Sequence, residues 1–183
     1  MAKIMTSIND SIKGFIEKQH LFFVGTAAKD GRVNISPKGM DTLRVVDKNR
    51  VVWMNLTGSG NETAAHLLDT NRMTLMFCSF AEMPLILRLY GSVKTLHKRD
   101  DEWAELSSMF PLHNGARQIF DLHVETVQTS CGYAVPFYDF KAPRNRLAEW
   151  ADKKGEEGIL DYWEEKNTTS IDGFETGIFK NKN

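Results

Sequence analysis

Three times between residues 21 and 96 an apolar run rich in β-branched residues breaks at a short polar turn and then resumes, a pattern that commits a chain to antiparallel sheet. The first pair is LFFVGTAA (21–28) and VNISP (33–37), joined through KDGR, where Asp30-Gly31 supplies the positive φ angles of a tight hairpin turn. The second is TLRVVD (42–47) and RVVWMNL (50–56) across Lys48-Asn49, and the third is RMTLMFCSF (72–80) and LILRLYGSVKTL (85–96) across residues 81–84. In the last arm Leu85, Leu87 and Leu89 share one face and Ile86, Arg88 and Tyr90 the other. RQIFDLHVETVQ (117–128) sets Phe120, Leu122 and Val124 against Asp121, His123 and Glu125, the alternation of a strand with one wet face that closes the sheet.

Helices flank this β region. Ile8, Ile12, Phe15 and Ile16 recur at helical spacing, with Ser7 three residues before Asp10 as a capping box. A short helix is expected at 103–110. From Pro143 onward Leu147, Trp150 and Ala151, then Ile159, Tyr162 and Trp163, mark two amphipathic helices parted at Lys153-Lys154-Gly155. The order predicts a mainly β fold: an antiparallel, Greek-key-like closed or split β-barrel with helices outside it. One domain over 1–183 is expected, with a C-terminal helical extension from about 143.

With 42% hydrophobic and 26% charged residues the chain has a globular composition, and a net charge of -1 gives no general attraction for nucleic acid or anionic lipid. Lys3, Asp10, Lys13, Glu17 and Lys18 interrupt the first twenty residues, so no signal peptide is expected there, nor a membrane span elsewhere, and a cytoplasmic protein is. Cys78 and Cys131 form no CxxC and are expected as free thiols, Cys131 exposed at a turn beside Gly132. His20, His66, His97, His113 and His123 show no metal-ligand spacing, and no metal is expected.

One stretch asks for more than fold. In RVVWMNLTGSGNETAAHL (50–67) a strand stops in Thr57-Gly58-Ser59-Gly60-Asn61 and a helix starts. Gly58 and Gly60 permit unusual backbone angles, and Asn61 is placed to cap the first turn; free amides with Ser59, Asn61 and Thr63 around them suit a phosphate. A plain strand-to-helix joint has the same composition. The third glycine of a dinucleotide fingerprint and the Lys-Ser/Thr of a Walker loop are both missing, so neither a Rossmann fold nor an NTPase is supported.

The succession FVGTAAKDGRVNISPKG (23–39), VVWMNLTGSGNETAAHL (51–67), RLYGSVK (88–94) and SCGYAVPFYDF (130–140) resembles the pyridoxamine 5'-phosphate oxidase-like family of FMN-binding split barrels, and KNTTSIDGFETG (166–177) is similar to a subgroup of it. The resemblance implies FMN held between two subunits of a homodimer, with the phosphate near the helix that follows the fourth strand and the ring against the second. The cofactor set it implies is Ser36, Pro37, Lys38, Asn55, Gly60, Asn61, Glu62, Thr63 and Arg88. Where oxidases proper carry a basic Ser-Arg-Lys at the helix start this chain has Asn61-Glu62-Thr63, which leaves Lys38 and Arg88 to supply positive charge. Arg88 has a second reading, as the ion-pair partner of a carboxylate such as Glu82. The C-terminal arginine and tryptophan motif of the oxidases is replaced here, so the resemblance is to the family and not to the vitamin B6 oxidase itself. An oxidoreductase acting on an unidentified small molecule is the leading expectation, and a non-catalytic flavin- or haem-binding module the alternative. No catalytic acid, base or nucleophile stands out.

Overall fold

The computed structural model describes residues 2–179. The elements in chain order are β1 (Lys3–Met5), α1 (Asp10–Glu17), β2 (Phe22–Thr26), β3 (Asn34–Lys38), β4 (Leu43–Asp47), β5 (Arg50–Leu56), α2 (Glu62–Asp69), β6 (Met73–Cys78), β7 (Ile86–His97), α3 (Trp103–Ser107), β8 (Ala116–Ser130) and α4 (Arg146–Lys166). The strands form one antiparallel sheet in the order β3-β2-β6-β7-β8-β5-β4, with β1 added to β8. β3 and β4 are its two unpaired edges, yet only residues 39–42 separate them in sequence, so the sheet curls until its edges face each other without joining. All three expected hairpins form, and the barrel is split rather than closed.

The curl encloses a core of Val24, Trp53, Leu75, Leu87, Leu89, Phe120 and Leu122, wholly shielded from water, with Ile12 and Ile16 of α1 plugging one end. Each such side chain contributes on the order of 1.5–3 kcal/mol by leaving water. Trp53 stacks on Phe120 at 4.7 Å between centroids, so the large aromatic fills the barrel. On the outer face of β5 and β8, Val52, Met54 and Ile119 pack with Leu106 of α3 in a second cluster. Ala151, Ile159 and Trp163 of α4 form a third with Ile178.

Three local expectations are corrected. The first hairpin is not tight: pairing ends at Thr26↔Asn34, leaving residues 27–33 as a loop in which Gly31 alone takes positive φ, at 90°. The cap of α1 is Asn9, whose Oδ1 accepts from the Ile12 amide at 2.9 Å, in place of Ser7. Gly58 and Gly60 do not take positive φ. Leu87 and Leu89 are buried in the chain's own core, Leu85 is half-buried just before β7, and Tyr90 on the other face donates its hydroxyl to Gln128 Oε1 at 2.9 Å. The C-terminal helices part where expected, at Gly155, whose φ of 66° and ψ of 178° break α4 into two segments. No helix among the described residues is long and apolar enough to cross a membrane.

Candidate functional site

The open seam between β3 and β4 collects polar side chains because the barrel interior is uncovered there. Register with β2 (Phe22↔Lys38, Val24↔Ser36, Thr26↔Asn34) puts Asn34, Ser36 and Lys38 on the same face as the core residues Phe22 and Val24, while Ile35 and Pro37 point out to solvent. The link across the seam is strained: Met40 and Asp41 hold left-handed φ values of 64° and 55°, which L side chains rarely adopt.

Lys38 turns inward until its Nζ lies 5.6 Å from the ring centroid of Trp53. Burial, followed by the nearby charge of Arg117, lowers its pKa to about 8. Arg117 opens β8 at the same end of the barrel and is only 3% exposed. Burial brings its pKa down to about 10. Its hydrogen bonds run to neutral acceptors: Nη1 donates to the Gly60 carbonyl at 3.0 Å and to Asn167 Oδ1 at 2.6 Å, and Nε to Gln118 Oε1 at 3.2 Å. Among the described residues neither cation has a carboxylate partner.

Around them lie polar groups that the chain does not satisfy. Asn55 Nδ2 donates to Gln118 Oε1 at 3.0 Å, but Asn55 Oδ1 and Gln118 Nε2 are buried without partners. Asn61, 1% exposed, is the N-cap residue of α2 but makes no side-chain cap bond; its Nδ2 donates to the Asn167 carbonyl at 3.3 Å and its Oδ1 is left unpaired. His66 Nδ1 meets Thr26 Oγ1 at 3.1 Å while Nε2 has no partner, and Thr63 accepts from Asn34 Nδ2 at 3.2 Å. His97 Nε2 and His113 Nε2 are likewise unpaired, and such groups number a few per hundred residues; what singles out Asn55, Gln118 and Asn61 is that they converge on Arg117, directly or through Asn167.

Of the expected cofactor residues, Asn55, Gly60 and Asn61 connect through Gln118, Arg117 and Asn167, Lys38 lies near enough to feel the Arg117 charge, Thr63 bonds to Asn34 of β3, Ser36 shares the inward face of β3, and Pro37 points away. Glu62 is at the start of α2, but its carboxylate accepts from the Ile171 amide at 3.1 Å, so that helix end already carries an anion. The loop before it contributes carbonyls, from Gly58 to Asn167 and from Gly60 to Arg117, where amides were expected. Arg88 is on the opposite face of the sheet, alternating with buried Leu87 and Leu89. Its Nη1 donates to Ser130 Oγ at 3.3 Å, and it makes no ion pair with Glu82. Arg117 and Asn167 escaped the sequence reading. A hint existed in GARQIF, where adjacent Ile119 and Phe120 break the alternation of a half-wet strand and imply that both faces are covered.

Beside the seam, residues 39–45 wall a cleft of about 1190 Å³. Phe22 and Phe77 lie at its base, Phe140 stacks on His20 at 3.7 Å along one side, and Arg44, Arg144 and Arg146 reach its rim. It is roomy by the standard of ligand pockets, which span roughly 300–1,000 Å³.

An eight-stranded antiparallel sheet left open at one seam, with its polar side chains drawn to that opening, is a split β-barrel. The profile of the pyridoxamine 5'-phosphate oxidase family matches residues 8–131. A pyridoxamine 5'-phosphate oxidase family protein of Aspergillus flavus, ustO, is 33% identical over 187 aligned positions covering 91% of this chain and 74% of its own length. The chain belongs to this family. Among solved structures, HupZ from Group A Streptococcus superposes with a TM-score of 0.52 at 20% identity, over 66% of this chain and 91% of that one. A Lactobacillus delbrueckii protein provisionally assigned as a pyridoxamine 5'-phosphate oxidase also gives 0.52, at 19% identity, over 67% and 98%. At such identities the likeness establishes the shared fold.

Proposed function

We propose that the chain is an FMN-binding flavoprotein, a homodimer that passes electrons or hydride between a reduced donor and a small molecule. The observation that carries this reading is the pair of cations, half-buried Lys38 and buried Arg117, set without a carboxylate beside Gln118 Nε2, a buried donor with no partner among the described residues. A buried charge without a counter-ion costs several kcal/mol, and a bound anion offsets that cost. A phosphate monoester brings between one and two negative charges and several acceptor oxygens, so the residues present fit the phosphate of FMN. Lys38, Arg117, Gln118 and Thr63 would hold it with Ser36 as a further donor, and the free oxygens of Asn55 and Asn61, which only accept, would meet hydroxyl or N–H groups elsewhere on the flavin. Bound there, the flavin supplies the redox chemistry. The adjoining cleft, with its aromatic base and arginine rim, gives a substrate room.

The homodimer is supported by what the single chain leaves open. Val33 and Ile35, each 69% exposed, lie at or beside the edge strand β3. Arg88, on the far face of the sheet, would join such a site only from the second subunit. The purified protein should show flavin absorption, release FMN on denaturation, be reduced by a nicotinamide donor, and scatter light as twice its 20.8 kDa. A Soret band, or a chain that takes up no flavin on titration, would overturn the assignment.

The titration of Lys38 makes the reading pH-dependent. Anion binding needs the ammonium form, so FMN affinity should hold from about pH 7 to 8, where the phosphate is largely a dianion, and fall by up to about tenfold per pH unit above that. Stability of the ligand-free protein should move the other way. The folded pKa, about 8, lies below the ordinary lysine value of 10.5, so the unfolded chain binds more protons between them and the fold gains stability as pH rises through that window. Lys38→Met should flatten both profiles; a variant that keeps the wild-type slope would show that another group titrates.

A further inference from the structure

The chain does not trail away after α4. Residues 167–178 fold back as a strap over the loop that precedes α2, closed on itself by the Thr169↔Glu175 bridge. It is tied down along its length: Trp163 Nε1 donates to Thr57 Oγ1 at 2.8 Å just before it, the Ile171 amide donates to the Glu62 carboxylate at 3.1 Å, and Asp172 forms an ion pair with Arg32. At its root is Asn167, wholly buried, whose polar atoms are all in use. Nδ2 donates to the Gly58 carbonyl at 3.0 Å, Oδ1 accepts from Arg117 Nη1 at 2.6 Å, and the backbone carbonyl accepts from Asn61 Nδ2 at 3.3 Å and from Thr176 Oγ1 at 2.6 Å.

Two properties of this arrangement matter. The amide of Asn167 grips one edge of the guanidinium fork while remaining uncharged, so it orients Arg117 without neutralising it; a carboxylate in that place would form a strong bonded pair and cancel the charge. Nη2, the other edge of the fork, makes no hydrogen bond among the described residues. The same residue also fixes Asn61, whose unpaired Oδ1 lies in the same cluster.

We infer that Asn167 is a positioning residue of the anion site, holding Arg117 by a neutral acceptor so that its charge stays available to a ligand phosphate, and that through it the C-terminal strap is a working part of that site. This rests on the phosphate reading above and assigns a role to a segment outside the stretch that matches the family profile.

Paired fluorescence titrations with FMN and with riboflavin, which lacks the phosphate, test the inference on the full chain. Wild type should prefer FMN by at least about tenfold, the equivalent of roughly 1.4 kcal/mol. Asn167→Asp is nearly isosteric and should lower that preference about tenfold while riboflavin affinity stays within about twofold, the new ion pair with Arg117 offsetting the lost Nδ2 donor to the Gly58 carbonyl so that the ligand-free protein still melts cooperatively. A merely structural Asn167 would change both ligands together. Should Asn167→Asp fail to fold, Asn167→Ser, which keeps a polar side chain but withdraws the acceptor from Nη1, should lower the preference by a few-fold. A folded Asp or Ser variant that discriminates as wild type does, or that loses riboflavin in parallel, would overturn the inference. A wild-type protein that binds the two flavins equally would instead overturn the phosphate reading itself.

Discussion

Arg117→Gln should weaken FMN binding by between about tenfold and a hundredfold and leave riboflavin binding within about threefold. The range follows from a charge-assisted hydrogen bond contributing about 1.5–3 kcal/mol in a desolvated place. Glutamine retains an amide donor for the Gly60 carbonyl or Asn167 Oδ1, both of which a Met or Ala variant would leave buried and unpaired. Stability of the ligand-free variant should fall by less than the affinity does, since removing an uncompensated buried charge offsets part of the lost hydrogen bonding. Titration by flavin fluorescence, with a thermal melt to confirm folding, reads both quantities. Unchanged FMN affinity in a folded variant would move the phosphate away from Arg117.

That outcome would also bear on what can be read from residues alone. The hairpins were legible because sheet formation is written locally, in two-residue periodicity and in turns such as Lys48-Asn49, which joins β4 to β5. The seam was legible only in part. Ser36, Lys38, Asn55 and Asn61 come from strands and a loop whose order resembles a known family, but which of their faces turn inward depends on register, and a shift of one residue reverses every side chain. Arg88 shows the consequence: it has the right charge in the right stretch, but its side chain lies on the face of the sheet away from Lys38 and Arg117 of the same chain. Arg117 and Asn167 were hidden for a different reason. A buried cation is recognised by what fails to surround it, and a strap by a long-range contact between residues some fifty positions apart, neither of which leaves a periodic trace.

Glu62 carries the same lesson at the helix start. Glycine, asparagine and free amides suggested a phosphate seat, yet the side chain already there is an anion, bonded to the Ile171 amide and close enough to Gly60 that an added Cβ would meet its Oε1 at 2.9 Å. Positive charge has to come from the barrel wall, where Lys38 and Arg117 supply it. Desolvation of buried Arg117 and half-buried Lys38 disfavours their charged forms and lowers both pKa values, a perturbation that clusters at functional sites.

Gly91→Ala is expected to cost about 3 kcal/mol or more, or to prevent folding, although it adds one methyl group. Gly91 sits at the irregularity where β7 and β8 change register, pairing with Val124 while its neighbour Tyr90 pairs with Thr126. A Cβ there would lie 1.8 Å from the His123 carbonyl oxygen and 2.9 Å from its carbon, both backbone atoms that no side-chain rotation removes. Nor can β8 retreat. Its far edge is paired to β5 at Arg50↔His123, and the Val124 amide and carbonyl are bound to Asn49 at 2.7 and 2.8 Å. The bulge bends the two longest strands, and that bend helps curl the sheet until β3 and β4 face each other, so a straightened β7 would also separate Lys38 from Trp53 and open the site. Gly14→Ala is the matching control: it lies in α1, nothing lies within 4 Å of its added Cβ, and helix propensity favours the change by roughly 0.5–1 kcal/mol. Urea unfolding of both variants should lower the midpoint sharply for Gly91→Ala and raise it slightly for Gly14→Ala; a Gly91→Ala protein with a wild-type midpoint and intact flavin binding would mean that β7 and β8 do not bulge there.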